Sequence, residues 1–158
     1  MSGALPRDLR CLMEIKARLE GIGSPAVLAR VLIGKDDLHA DSGTFPAASL
    51  LVGGDDTPVD SRGNKHKIEV PVTVHLVTKD VDPDNPLVAG YTLRAAALAA
   101  LFPESARTQT TEDRLGGHAE SFEFQGASVL PREDGGKTTS VFIDTLVRYV
   151  LLASDPYL

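Results

Sequence analysis

The run DVDPDN sets Asp80, Asp82 and Asp84 at alternate positions, the spacing with which a calcium loop begins. Such a loop needs a glycine at its sixth position for the sharp turn and a bidentate glutamate at its twelfth. Here those positions hold Asn85 and Tyr91, so the run reads as a turn that leads into a helix. His39 lies among Asp36, Asp37 and Asp41, and His66 follows Asp60, but no H-x-x-x-H or C-x-x-C spacing assembles a zinc set. His75 falls on the less apolar side of its strand and His118 at a strand start, so both read as surface groups. No G-x-S-x-G motif is present, and nothing in the sequence sets a base beside Cys11, which falls inside a helical pattern as a small buried side chain. Gly21-Ile22-Gly23 follows a helix rather than a strand and reads as a helix stop. Gly53-Gly54 lacks the Lys-Ser/Thr of a phosphate loop and reads as a turn. Dispersed carboxylates offer no pair that spacing singles out as acid and base. The sequence therefore nominates no catalytic, cofactor-binding or metal-binding residue.

The elements that would position any site come from an ordinary globular composition. The chain has 158 residues, enough for one domain over 1–158, with 42% apolar, 24% charged and only 5% aromatic residues and no tryptophan. Its core must be built from Leu, Val, Ile and Ala. Charge appears by Arg7, and no stretch reaches the roughly 20 apolar residues of a membrane span, so neither a secretory signal nor a membrane partner is expected. A single cysteine fits a reducing compartment. Net charge is −6 with sixteen scattered Lys and Arg, which argues against tight nucleic-acid binding.

Leu9, Leu12, Ile15, Leu19 and Ile22 recur at helical spacing, which predicts a helix over 6–21. Short apolar runs at 26–34 and 45–53 predict strands, the second opened by Pro46. The turn-rich stretch DDTPVDSRGNKH reads as a long exposed loop over 53–66. From His66 to Lys79, alternation of Ile68, Val70, Val72, Val74 and Leu76 predicts a long strand. Pro71 in its middle cannot donate to a ladder, which places that strand at a sheet edge or turns the Pro71 side of it outward. Asp84 or Asn85 is expected to cap a helix that begins at Pro86 and runs to Phe102, with Leu87, Tyr91, Leu98, Leu101 and Phe102 on one side. Strands at 118–129 and 139–152 around the loop 131–138 form a hairpin. The order predicts an α+β fold, a mostly antiparallel sheet of four or five strands packed against two main helices.

In order, length and character, the segments LRCLMEIKARLEGI, FPAASLLVGGDD, KIEVPVTVHLVTKD, PLVAGYTLRAAALAALF and TTSVFIDTLVRYVLLASDP resemble the tail terminator (tail-tube completion) proteins of tailed bacteriophages and phage-derived tail-like particles. The resemblance spans nearly the whole chain, apart from 53–66 and 104–117. It implies a homohexameric ring that stops tail-tube polymerisation and offers a surface to the head connector. It implies assembly in the bacterial host cytoplasm, incorporation into a tail, and passage of DNA through the lumen without specific binding. It implies no active site and no cofactor. Expected subunit or partner contacts are Lys67, Glu69, Pro71 and Thr73 on the long strand, and Asp55, Asp56, Arg62, Arg132 and Glu133 in the loops. A head–tail connector or neck protein, or a non-catalytic binding module, are the alternatives on the same features.

Overall fold

The computed structural model of the chain describes residues 5–23, 28–35, 38, 45–53, 57–79, 84–85, 87–104, 113–131 and 138–157. Helix α1 (Arg7–Glu20) buries Cys11, Ile15 and Leu19 along one stripe, and Gly21 closes it by donating its N–H to Ala17 and Arg18. It is followed by β1 (Arg30–Ile33), β2 (Ala47–Val52), β3 (Thr57–Arg62), β4 (Lys65–Lys79), α2 (Val88–Leu101), a 3-10 turn at Leu115–Gly117, β5 (Ser121–Pro131) and β6 (Thr138–Leu152). The strands form one sheet in the order β1-β2-β4-β6-β5, with β3 pairing to β4 off that path. Only β1 and β2 run parallel. The α+β class and the mostly antiparallel sheet against two helices are as expected, with six strands among the described residues rather than four or five.

The additional strand is β3, inside the stretch expected to be a loop. It forms a hairpin with β4 through Gly63-Asn64, where Gly63 takes φ +63°, a conformation glycine reaches without a Cβ clash. Pro58 through Arg62 are all exposed, so no face of β3 is buried and no apolar alternation marks it in the sequence. Its strand character comes from backbone pairing to β4.

Strand β4 is not an edge, contrary to the expectation drawn from Pro71. It pairs with β6 from Lys65 to Lys79 on one side. On the other side it pairs with β3 over Lys65–Glu69 and with β2 over Val72–Val77. Pro71 falls in the gap between those two neighbours. Its carbonyl accepts from Gly53 N–H at 3.0 Å on that side, so its missing donor would have pointed to where the chain leaves β2. Proline is thus accommodated in a central strand because two neighbours share one flank and neither needs that donor.

The helices cover one face of the sheet. Ile68, Val70, Val72, Val74 and Leu76 of β4 meet Val141, Ile143, Val147 and Tyr149 of β6 beneath α1 and α2, all buried. Helix α2 buries Gly90, Leu93, Ala97 and Leu101, a stripe rotated from the predicted one, and leaves Tyr91 48% exposed. The alanines obscured the phase: with small residues on most sides, the bulky side chains no longer mark the face that packs closest. The expected cap also differs. The N-cap is Leu87, without a side-chain cap bond, and the backbone carbonyl of Asn85 accepts from Val88 N–H at 3.2 Å.

On the opposite face a smaller core forms at the β1–β2 end, where Leu38 packs with Ala47, Val77, Leu32 and Phe45. His75 is buried close by rather than on the surface. Its ring stacks on Phe142 at 4.4 Å and its Nε2 lies 3.2 Å from Ser140 Oγ.

A buried ion pair joins the helices to the segment before β5. Arg18 donates to both carboxylate oxygens of Asp113, at 2.6 and 2.9 Å, and to the carbonyl of Leu101 at the end of α2, at 2.7 Å. Asp113 Oδ1 also accepts from Leu115 N–H, and its carbonyl accepts from Phe122 N–H. Burial alone would lower the Arg18 pKa; the hydrogen bond and charge of Asp113, with Glu14 beside it, outweigh that and leave it raised.

Candidate functional site

The sheet leaves two regions uncovered by helices: the face away from α1 and α2, and the outer side of β5. Alternation along β4 sends Lys67, Glu69, Pro71 and Thr73 to the first of these. Their β6 partners are Val150, Arg148, Leu146 and Asp144. Three of the four already hold neighbours. Thr73 donates to Asp144 at 2.9 Å, Glu69 lies 3.5 Å from Arg148, and Lys67 lies 3.9 Å from Glu120. Arg148 also donates to Glu123 on β5, so one guanidinium bridges three strands. The result is a flat patch of mixed charge with Pro71 exposed at its centre.

The structure therefore brings Lys67, Glu69, Pro71 and Thr73 together, on a face and not along an edge. Arg62 stands apart at the β3–β4 hairpin, its side chain 88% exposed. Asp55, Asp56, Arg132 and Glu133 lie outside the described residues, as do His39 and Asp82.

The long open edge is β5. Among the described residues its only strand partner is β6, over Ser121–Pro131. Phe124 and Leu130 are half exposed there, at 50% and 53%. Phe124 meets Phe102 edge-on at 6.0 Å, and Phe102 stacks on Phe122 at 4.8 Å. These rings, with Leu98 and Pro103, line an open groove of about 580 Å³ beside the strand. A bulge between Phe124 and Gly126 interrupts the ladder, a device that blunts unwanted edge pairing. Sequence reasoning missed this edge because it followed Pro71. A better signal lay in TTSVFIDTLVRYVLL, whose apolar residues populate both faces as in a central strand. With β6 central, β5 is left outermost.

Among the described residues no three His, Cys, Asp or Glu side chains group as metal ligands would, and no helix is long and apolar enough to cross a membrane. Cys11 is buried, and burial pushes its thiol up to about 11, so it stays protonated at neutral pH. The geometry offers surfaces for macromolecular contact: a charged flat face, an apolar-lined open edge and a projecting hairpin.

No protein-family model matches the chain, and neither does any curated protein. Among solved structures, a chain from "Virion of native gene transfer agent (GTA) particle" is similar at a TM-score of 0.46 and 13% identity, over 90% of each chain.

Proposed function

We propose that the chain is a structural, non-catalytic subunit of a phage or phage-like tail, the terminator that caps the tail tube as a ring, stops its polymerisation and presents the surface for head joining. The observation that carries this reading is that one sheet ends in two unlike borders on opposite flanks: the long β5 edge with its aromatic groove on one, the short strands β1 and β3 on the other. A closed ring of identical subunits needs two different complementary surfaces, so that each copy offers one and receives the other. The segments that carry the sequence resemblance fall on α1, β2, β4, α2 and β6, the scaffold that holds those borders apart. In the ring, the β5 edge and the patch of Glu69, Pro71 and Thr73 contact neighbouring subunits. From the sequence alone, Asp55, Asp56, Arg132 and Glu133 are assigned to contacts with the neighbour, the tube protein or the head connector.

Light scattering on a sizing column tests this, with a concentration series run alone and with purified tail tubes of the same particle. A species of about six times 16.8 kDa, or retention on tube ends, is expected. Phe124→Lys on the β5 edge should weaken either one. A strict monomer that tubes do not retain would overturn the reading.

A further inference from the structure

Charge on this acidic chain is not evenly spread. Two grooves adjoin at Val150, at the end of the sheet where the β3–β4 hairpin projects. One, of about 230 Å³, is lined by Arg62, Lys65, His66 and Lys67 with Asp60. The other, of about 550 Å³, is lined by Arg7, Arg114, His118 and Arg148 with Glu120 and Glu123. Six arginines and lysines thus line the two grooves with three carboxylates, and Glu69 lies beside Arg148, in a chain whose net charge is −6.

Among the described residues, the hairpin's cations meet only distant carboxylates. Arg62 and Lys65 are direct cross-strand partners across the turn, a like-charge pairing that is unfavourable unless an anion lies nearby. Lys65 and Lys67 share a face, and their β6 partners are Leu152 and Val150, which supply no charge. The carboxylates within reach, Asp60 to Arg62 and Glu120 to Lys67, each stand 3.9 Å away and about half exposed, a geometry of little strength. The tip is nonetheless held in place. Asn64 donates to Ser154 Oγ at 2.8 Å and accepts from Ala153 N–H at 2.9 Å. In the neighbouring groove, Arg7 is held over the sheet end by donating through Nη1 to the Val150 carbonyl at 3.3 Å.

We propose that this end of the molecule is a contact surface for the phosphodiester backbone of nucleic acid, weak, independent of sequence and sensitive to salt. A protein partner would be expected to find a buried aromatic anchor. These grooves are lined by no Phe, Tyr or Trp, their rims hold more cations than carboxylates around Val150, and point cations suffice for phosphate. The proposal concerns a local surface and does not require the ring.

The test is fluorescence anisotropy of a labelled 20-base-pair duplex, titrated with the full chain from roughly 20 to 200 mM salt. Wild type should bind at the low end and weaken as salt rises. Arg62→Gln/Lys65→Gln/Lys67→Gln, all on exposed side chains, should lose at least about tenfold in affinity at low salt. The slope of log affinity against log salt should flatten by about 2 to 3, since each phosphate contact contributes about 0.9. Lys16→Gln/Lys35→Gln/Arg94→Gln makes the same change in net charge away from the grooves and should bind as wild type does. No binding at 20 mM salt, or equal losses in both variants, would overturn the proposal. Displacement of the duplex by polyglutamate at equal charge concentration would also overturn it and reassign the surface to an acidic protein.

Discussion

Asp113→Asn removes one formal charge and little volume, and its cost can be worked from the contacts of Arg18. In the native chain the carboxylate takes two charge-assisted hydrogen bonds from Arg18 and one from Leu115 N–H, with both side chains less than a tenth exposed. The amide can keep an oxygen toward Leu115 N–H and Arg18 Nη2, but it then turns its NH₂ donor toward Nη1. Arg18 retains the Leu101 carbonyl, Glu14 at 3.5 Å and the face of Phe122 at 5.9 Å, so it is not stranded. Removing one partner of a buried pair costs about 3 to 5 kcal/mol, and these residual contacts set the expectation at the low end, about 3 kcal/mol. Against a typical total of about 5 to 15 kcal/mol this is a large fraction. Urea unfolding followed by circular dichroism should show a lower midpoint at unchanged slope. Arg18→Met/Asp113→Leu replaces the pair with apolar bulk and should cost much less than the two single changes added together. A loss below about 1 kcal/mol for Asp113→Asn, or a double variant as unstable as that sum, would refute the view that this pair locks α1, α2 and the start of β5 together.

Gly90 lets α2 approach β5 and β6: a Cβ there would stand 2.6 Å from Thr139 Cγ2 and 2.7 Å from Val129 Cγ1. Gly90→Ala gains about 1 kcal/mol of helix propensity but overpacks by about 1 to 3 kcal/mol, so its melting temperature should fall; a rise would show that propensity outweighs the close approach. Burial raises the Cys11 thiol from 9.0 to about 11, so the folded state holds that proton more tightly than the unfolded chain does. The associated stability is fully present below pH 9 and is lost as pH climbs toward 11. Wild type should therefore lose up to about 2.7 kcal/mol more than Cys11→Ala across that window, measured by urea unfolding at each pH, and parallel curves would refute it.

Much of the fold was legible because burial writes a period into the sequence. The alternation in KIEVPVTVHL and the helical spacing of α1 both come from one covered face, and both elements stand where the pattern put them. What the sequence hid was whatever burial does not pattern. Strand β3 covers nothing, so its residues carry turn-like chemistry although its backbone is paired. Pro71 states a local fact, a missing donor, and the inference from it failed because a strand's flank can be divided between two neighbours. His75 looked like a surface residue because its face of β4 is polar toward the hairpin, while its burial comes with Phe142 and Ser140 on β6, a strand remote in sequence. Four of the nominated contact residues do share one face. The β5 edge and the gathering of Arg7, Arg62, Lys65 and Lys67 at one end arise from strand order, which no local pattern records.

Strand order also dictates when this chain can fold. The last strand in sequence, β6, lies between β4 and β5, and its ladder with β4 runs from Lys79 with Thr138 to Lys65 with Leu152. Until β6 is available, β4 and β5 are therefore joined to nothing across the middle of the sheet. The nascent chain holds both flanks of its architecture before it has the strand that unites them. Closing so distant a pairing is intrinsically slow, and the waiting flanks expose Val72, Val74 and Phe122. Only once β6 is available can the sheet close, and until then the apolar flanks of β4 and β5 are open to pairing with other copies of the chain.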